Sequence, residues 1–261
     1  MHKIQITRKN KKYTFSYPSS WDEMNRKQLL IWCGILRMQL HIGHALDLAV
    51  ILFAKMPMGK FSKMPFIYRL QLRDTVGFLE ENNITANILG YVRVFFRKYH
   101  GPAHKLANIT ISEWRRTELY YELWQKTGLN KYLHLLAATL FRPASRLGVD
   151  DIRCRITEKS VAKRARLFSW ALHPNALKAI QLFYEGVRAY VQRKHPKIYQ
   201  RPNENLPMQT QINNLQDWED KILVYSGDKL GNYKETSETN LYLFLKHMTQ
   251  RIEEYERLKS R

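Results

Sequence analysis

The sequence predicts a mainly α-helical protein: a multi-helix body with a small N-terminal β-hairpin and a C-terminal helical appendage. Three observations lead there. Apolar residues recur at spacings of three and four over most of the 261 residues. Ser/Thr-x-x-Glu starts and Pro or Gly stops bracket those stretches. Clear period-two alternation is confined to residues 3–17, where "KIQI" and "YTFSY" flank the polar turn "TRKNKK".

Each element follows from local signals. Ser20 and Glu23 have capping-box spacing, and "PSSWDE" opens a helix that runs through "QLLIWCGILRMQL". A second helix covers 44–56 and stops at "MPMGKFSKMP". A third is expected over 66–81. "YVRVFF" reads equally as a strand or a short helix. Thr110 and Glu113 form a second capping box before "WRRTELYYELWQKTG". Leu129–Phe141 is the next helix, ended by Arg142-Pro143, because proline disfavours helical backbone at the residue before it. "TEKSVAKRARLFSWAL" is helical, and Pro174 sits where a first-turn proline belongs. The expected organisation is 1–20 hairpin, 21–200 helical body with a sub-boundary near 83–109, 201–214 linker, and 215–261 C-terminal helical segment. In the last helix Leu241, Leu245, Met248, Ile252 and Tyr255 make one apolar stripe, read as packing that also offers a partner-binding face.

Composition narrows the function classes. A 44% hydrophobic content belongs to a folded chain. Forty-three Lys and Arg face 23 Asp and Glu, a net charge of +20. That excess favours a polyanion: nucleic acid, an anionic membrane surface or an acidic protein. It is uneven: residues 142–201 carry a net +10 and residues 202–261 a net −2. Cys33 and Cys154 are far apart and read as two free thiols. The N-terminal stretch lacks an apolar signal core, and the most apolar window contains Asp47 and is too short for a bilayer. The expectation is an intracellular, cytoplasmic chain with no membrane partner.

No catalytic motif, cofactor site or metal site is expected. Phosphate-loop, nucleophile-elbow and dinucleotide fingerprints do not occur, and "GDKLG" at 227–231 lacks their strand–helix context. His41 with His44, and His100 with His104, lack nearby ligands to complete a metal set. Glu118 and Glu122, four apart, read as a solvated face. The basic residues Arg153, Arg155, Lys163, Arg164, Arg166, Arg193, Lys194 and Lys197 are the candidates for contact with phosphate or an acidic partner. The aromatics between them (Phe168, Trp170, Phe183, Tyr184, Tyr190) read as core.

Several stretches fall in an order that resembles one family. A hairpin precedes "PSSWDEM". Then come "ITISEWRRTELYYELWQKTGLNKYLHLLAATLFRP", "ALKAIQLFYEGVRAYVQRKHPKIY", "WEDKI" and a final amphipathic helix. This series is similar to the tail-assembly, chaperone-like morphogenesis proteins of tailed phages and prophages. The match lies on Tyr120, Tyr121 and Glu122. It continues in the Leu136, Ala137, Leu140, Phe141, Arg142, Pro143 helix end, then in Phe183, Tyr184, Gly186 and Arg188, and closes on Pro196 and Tyr199. The resemblance implies a non-enzymatic factor that binds a virion structural protein of the tape-measure or tail-tube type, in the host cytoplasm. The alternative left by the residues themselves is a basic helical protein contacting nucleic-acid phosphates through 153–201.

Overall fold

The computed structural model describes residues 2–8, 11–145, 151–199, 214–227 and 230–259. The protein is mainly α-helical. Among the described residues no helix is long and apolar enough to cross a membrane. The chain divides into two compact units. Unit 1 comprises Met1–Leu89 and His173–Gly186; unit 2 comprises Gly90–Leu172 and Val187–Arg261. The 201–214 linker, except Asn214, lies outside the described residues, as do Lys9 and Asn10 of the hairpin turn and Asp228 and Lys229 of "GDKLG".

Unit 1 opens with strands β1 (His2–Arg8) and β2 (Lys11–Tyr17), an antiparallel pair with His2 opposite Tyr17. The expected helix start at Ser20 is a short 3-10 turn, Trp21–Glu23, and the Ser20 side chain caps nothing. The cap lies five residues on. Helix α1 (Arg26–Arg37) starts at Asn25, whose side chain accepts from the Gln28 amide while the Gln28 side chain accepts from the Asn25 amide. Asparagine at this position satisfies one of the unpaired amides of a first turn. Helix α2 (Ile42–Phe53) follows, its start capped by the His41 ring accepting from Gly43 N. Then come α3 (Met58–Phe61), α4 (Phe66–Asp74) and a 3-10 turn at Gly77–Leu79, so the helix expected over 66–81 is interrupted after Asp74. The core gathers Trp32, Cys33, Leu29, Val50 and Ile84. The Trp21 indole donates to Glu81 O at 2.9 Å, and Arg26 donates to Leu89 O at 2.9 Å. Gly186, on helix α8 (Pro174–Lys194), has a spatial reason for its identity. A Cβ there would stand 2.2 Å from Ile84 O, inside the backbone itself.

Unit 2 opens with a second hairpin. "YVRVFF" resolves as strand β3 (Tyr91–Val94), paired antiparallel with β4 (Arg97–His100) across the two-residue turn Phe95-Phe96. Helix α5 (Ile111–Thr127) is capped by Thr110 Oγ1, which accepts from Glu113 N at 3.2 Å, and ends at Gly128 in the left-handed conformation (φ 66°). Helix α6 (Asn130–Leu140) carries the "LLAATL" stretch, with Leu136, Ala137, Ala138 and Leu140 fully buried. Helix α7 (Glu158–Ala171) is started by a capping box between Thr157 and Ser160. After the second half of α8 come α9 (Pro196–Tyr199), α10 (Asn214–Tyr225), α11 (Tyr233–Glu238) and α12 (Leu241–Lys259).

On helix α12 the apolar stripe divides between packing and surface. Leu241, Leu245 and Met248 are buried by their own chain. Only the distal end turns outward, with Ile252 half-buried and Tyr255 exposed. The Thr110–Asn240 bridge, with Ile111 N donating to Thr239 O and Leu241 N to Ile109 O, fixes the start of α12 beside the start of α5. Glu118 is likewise no solvated residue. It is 3% exposed, and its carboxylate accepts from Arg188 Nε at 2.9 Å.

Candidate functional site: a basic groove in unit 2

Two polar features of unit 2 share the basic residues, and they divide them between structural and available groups. The first is an enclosed ion cluster. Arg142 leaves the end of α6 and its guanidinium turns inward, Nη2 donating to both oxygens of Glu113 at 3.0 and 3.1 Å and Nη1 to Cys154 O at 2.9 Å. Arg153 donates to Asp151 through Nε (3.0 Å) and Nη2 (2.8 Å), and to Leu140 O through Nη1 (3.1 Å). Asn108 ties in by donating to Asp151 Oδ1 at 3.2 Å. Two guanidiniums and two carboxylates make the cluster neutral, which is how buried charge is tolerated. Burial pushes the Glu113 carboxyl up, while Arg142 and Arg153 draw it back; burial likewise lowers Arg142.

This cluster explains why the Thr110–Glu113 capping box is one-sided. Glu113 is committed to the arginines, so only the Thr110 half forms. It also explains the "LFRP" helix end. The last carbonyls of a helix lack intrahelical partners. Arg153 supplies a donor for Leu140 O, and Arg164 Nε supplies one for Ala138 O at 2.8 Å. The backbone of Arg142 pairs with His100, adding the exit of α6 to the second hairpin. Arg153 is therefore a strut: 3% exposed and fully engaged, it is withdrawn from the surface residues expected to meet phosphate.

The second feature is a groove of about 610 Å³ walled by α7, β4 and Pro143. From α7 it takes Ser160, Lys163, Arg164, Leu167 and Trp170, which recur at three and four and so share one face, together with Arg166. From β4 it takes Arg97 and Tyr99. The floor is apolar: Tyr99 stands edge-on against buried Phe168, ring centroids 5.1 Å apart. The rim is cationic, with Arg97, Lys163 and Arg166 exposed. Arg164 differs from them. It is 6% exposed, one nitrogen holds Ala138 O, and Nη2 is buried without a hydrogen-bond partner among the described residues. Buried guanidinium nitrogens are nearly always paired; Arg164 Nη2 at the groove and Arg142 Nε in the ion cluster are without a partner among the described residues.

Of the eight basic residues singled out, the structure brings Lys163, Arg164 and Arg166 into the groove. Arg155, Arg193 and Lys194 are exposed elsewhere. Lys197 is held by Glu256 at 2.7 Å and Glu253 at 3.6 Å. Sequence reasoning missed Arg97 and Tyr99, because the second hairpin was not resolved from a helix. It also placed Trp170 in the core. Phe168, Phe183 and Tyr184 are core, but Trp170 is 87% exposed. Its position one turn beyond Arg166 on the Lys163–Leu167 face was the available signal. Elsewhere, no group of three His, Cys, Asp or Glu disposed for a metal ion occurs among the described residues.

Unit 2 of this mainly helical protein thus carries a cationic, aromatic-edged cleft. Comparison with protein-family models, curated proteins and solved structures gives no match.

Proposed function

We propose that the protein is a non-enzymatic assembly factor of a phage or prophage tail, acting in the host cytoplasm. It would hold a virion structural protein of the tape-measure or tail-tube type during morphogenesis. The order of motifs from the first hairpin to the last helix suggests the family. The observation that carries the reading is an apolar surface in unit 1 that the chain leaves open. At the start of α4, Phe66, Ile67 and Tyr68 are 61%, 58% and 57% exposed in succession, and Met58 is 61% exposed. Leaving such side chains in water forgoes ~1.5–3 kcal/mol each. Exposed apolar side chains gathered at one helix start suit a protein contact, and a partner that covers them recovers part of that energy. Tyr255 and Leu258, both exposed near the end of α12, offer a second contact of the same kind.

Co-expression tests it. The protein should keep an aggregation-prone tape-measure protein soluble, and a Phe66→Ser, Ile67→Ser variant should lose that effect while melting at an unchanged temperature. Aggregation equal with and without the wild-type protein would sink the reading. A second reading, phosphate contact through basic residues of 153–201, is favoured by the groove at Arg164.

A further inference from the structure

We propose that the groove between α7 and β4 binds single-stranded nucleic acid, with a phosphate on Arg164 and a base stacked on Trp170. The inference deepens the second reading and rests on it in part. Three independent observations converge. Arg164 lines the groove, and its Nη2 is buried without a hydrogen-bond partner among the described residues, so an oxyanion reaching it by a small side-chain movement would complete a charge-assisted pair. Arg97, Lys163 and Arg166 surround it, and among the described residues none of the four forms an ion pair with a carboxylate of this chain. Cations left unpaired around one cleft focus a positive field into it.

The third observation separates nucleic acid from an acidic peptide. A carboxylate-rich peptide needs the cations only. Here aromatic rings are held out in water beside them: Trp170 at 87% exposed on α7, and Phe95 and Phe96 at 65% and fully exposed on the hairpin tip next to Arg97. Phe95 adopts φ 51°, a left-handed backbone that is strained for a non-glycine residue. A strained turn that displays two phenyl rings is unfavourable for folding alone. Every base offers a π-face, so exposed rings along a cationic groove form a sequence-tolerant platform for single strands. A duplex is a poorer fit: its bases are stacked on each other, and a cleft of about 610 Å³ admits a nucleotide or two.

The test uses the full chain and a fluorescein-labelled oligothymidylate of about twelve nucleotides, read by anisotropy. Log affinity should fall linearly with log salt between about 50 and 200 mM, with a slope near −0.7 per phosphate contacted. Trp170→Ala, at an exposed position, should weaken binding about tenfold or more. Lys163→Ala with Arg166→Ala should weaken it and flatten the salt slope by about 1.4. Lys234→Ala with Lys246→Ala, two exposed lysines on α11 and α12 outside the groove lining, removes the same charge and should leave most of the affinity. Arg164→Ala also frees Ala138 O, so Arg164→Lys is made beside it and thermal melts accompany both. A poly-glutamate peptide should compete poorly. If the wild-type protein binds no oligothymidylate even at low salt, both the second reading and this inference fall. If it binds, but Trp170→Ala is neutral or the two charge-matched doubles weaken it equally, phosphate contact survives and the groove assignment falls. Displacement by poly-glutamate at concentrations equal to the oligonucleotide's would assign the groove to an acidic protein instead.

Discussion

The two units share an order of elements and differ in what they do with charge. Each begins with a two-stranded hairpin and continues through two consecutive helices, α1 and α2 in unit 1, α5 and α6 in unit 2. In unit 1 the ion pair between Asp47 and Arg73 stays near the surface, the side chains 14% and 22% exposed. The Trp21 indole and the Arg26 guanidinium serve backbone carbonyls. Unit 2 instead encloses Glu113, Arg142 and Arg153, with Asp151 closing the cluster at its more exposed edge, and hangs the end of α6 on it. The difference teaches that a net charge of +20 is not a surface property. Some arginines are internal struts, and only the tertiary structure separates them from those left free for a ligand.

Breaking the cluster should produce the largest effect on stability. Arg142→Ala leaves Glu113 enclosed beside one guanidinium fewer, and removal of one partner of a buried pair costs ~3–5 kcal/mol. The corresponding insult in unit 1, Asp47→Asn, should cost no more than ~1 kcal/mol, because water reaches that pair. Replacing both partners, Arg142→Met with Glu113→Leu, should restore part of the loss. Urea unfolding of the three variants measures the contrast. Equal costs for Arg142→Ala and Asp47→Asn would erase the distinction between the units.

A change of packing alone comes next. Leu136 is fully buried in α6, and Leu136→Ala should cost ~2–5 kcal/mol according to how far the site collapses. A denaturant midpoint that barely moves would show that α6 turns a different face to the core. This residue was legible in the sequence because a 3.6-residue apolar period points inward wherever a helix forms. The stop at Arg142-Pro143 was legible for the same local reason. What Arg142 does there was not. Its partners lie 29 and 9 positions away, at Glu113 and Asp151, and no periodicity encodes them. The second hairpin was missed because its turn is Phe-Phe, without the Asn or Gly that announces a left-handed residue. With it went Arg97 and Tyr99, the strand side of the groove. Trp170 was misplaced because an exposed indole is rare enough that an aromatic among apolar residues reads as core. Lys163, Arg164 and Arg166 were visible as a basic run. The enclosure of Arg164, which distinguishes it from its neighbours, depends on α6 lying against α7.

The smallest expected effect sharpens the contrast through pH. His134, half-buried on α6, has its pKa lowered, chiefly by burial, with the nearby Asn130 backbone opposing the shift. His195 is lowered in the same direction, by burial and then by Lys194. Both belong to unit 2. A histidine with a depressed folded pKa is protonated more readily in the unfolded chain than in the folded one. Its stabilisation is therefore complete above the ordinary histidine value, near 6.5, and is lost as pH falls from there through the folded pKa. Urea midpoints should decline between about pH 7.5 and about pH 5, and His134→Gln should flatten part of that slope. If His134→Gln follows the wild-type slope throughout, the imidazole is as hydrated in the folded chain as in the unfolded one, and acid reaches unit 2 through other groups.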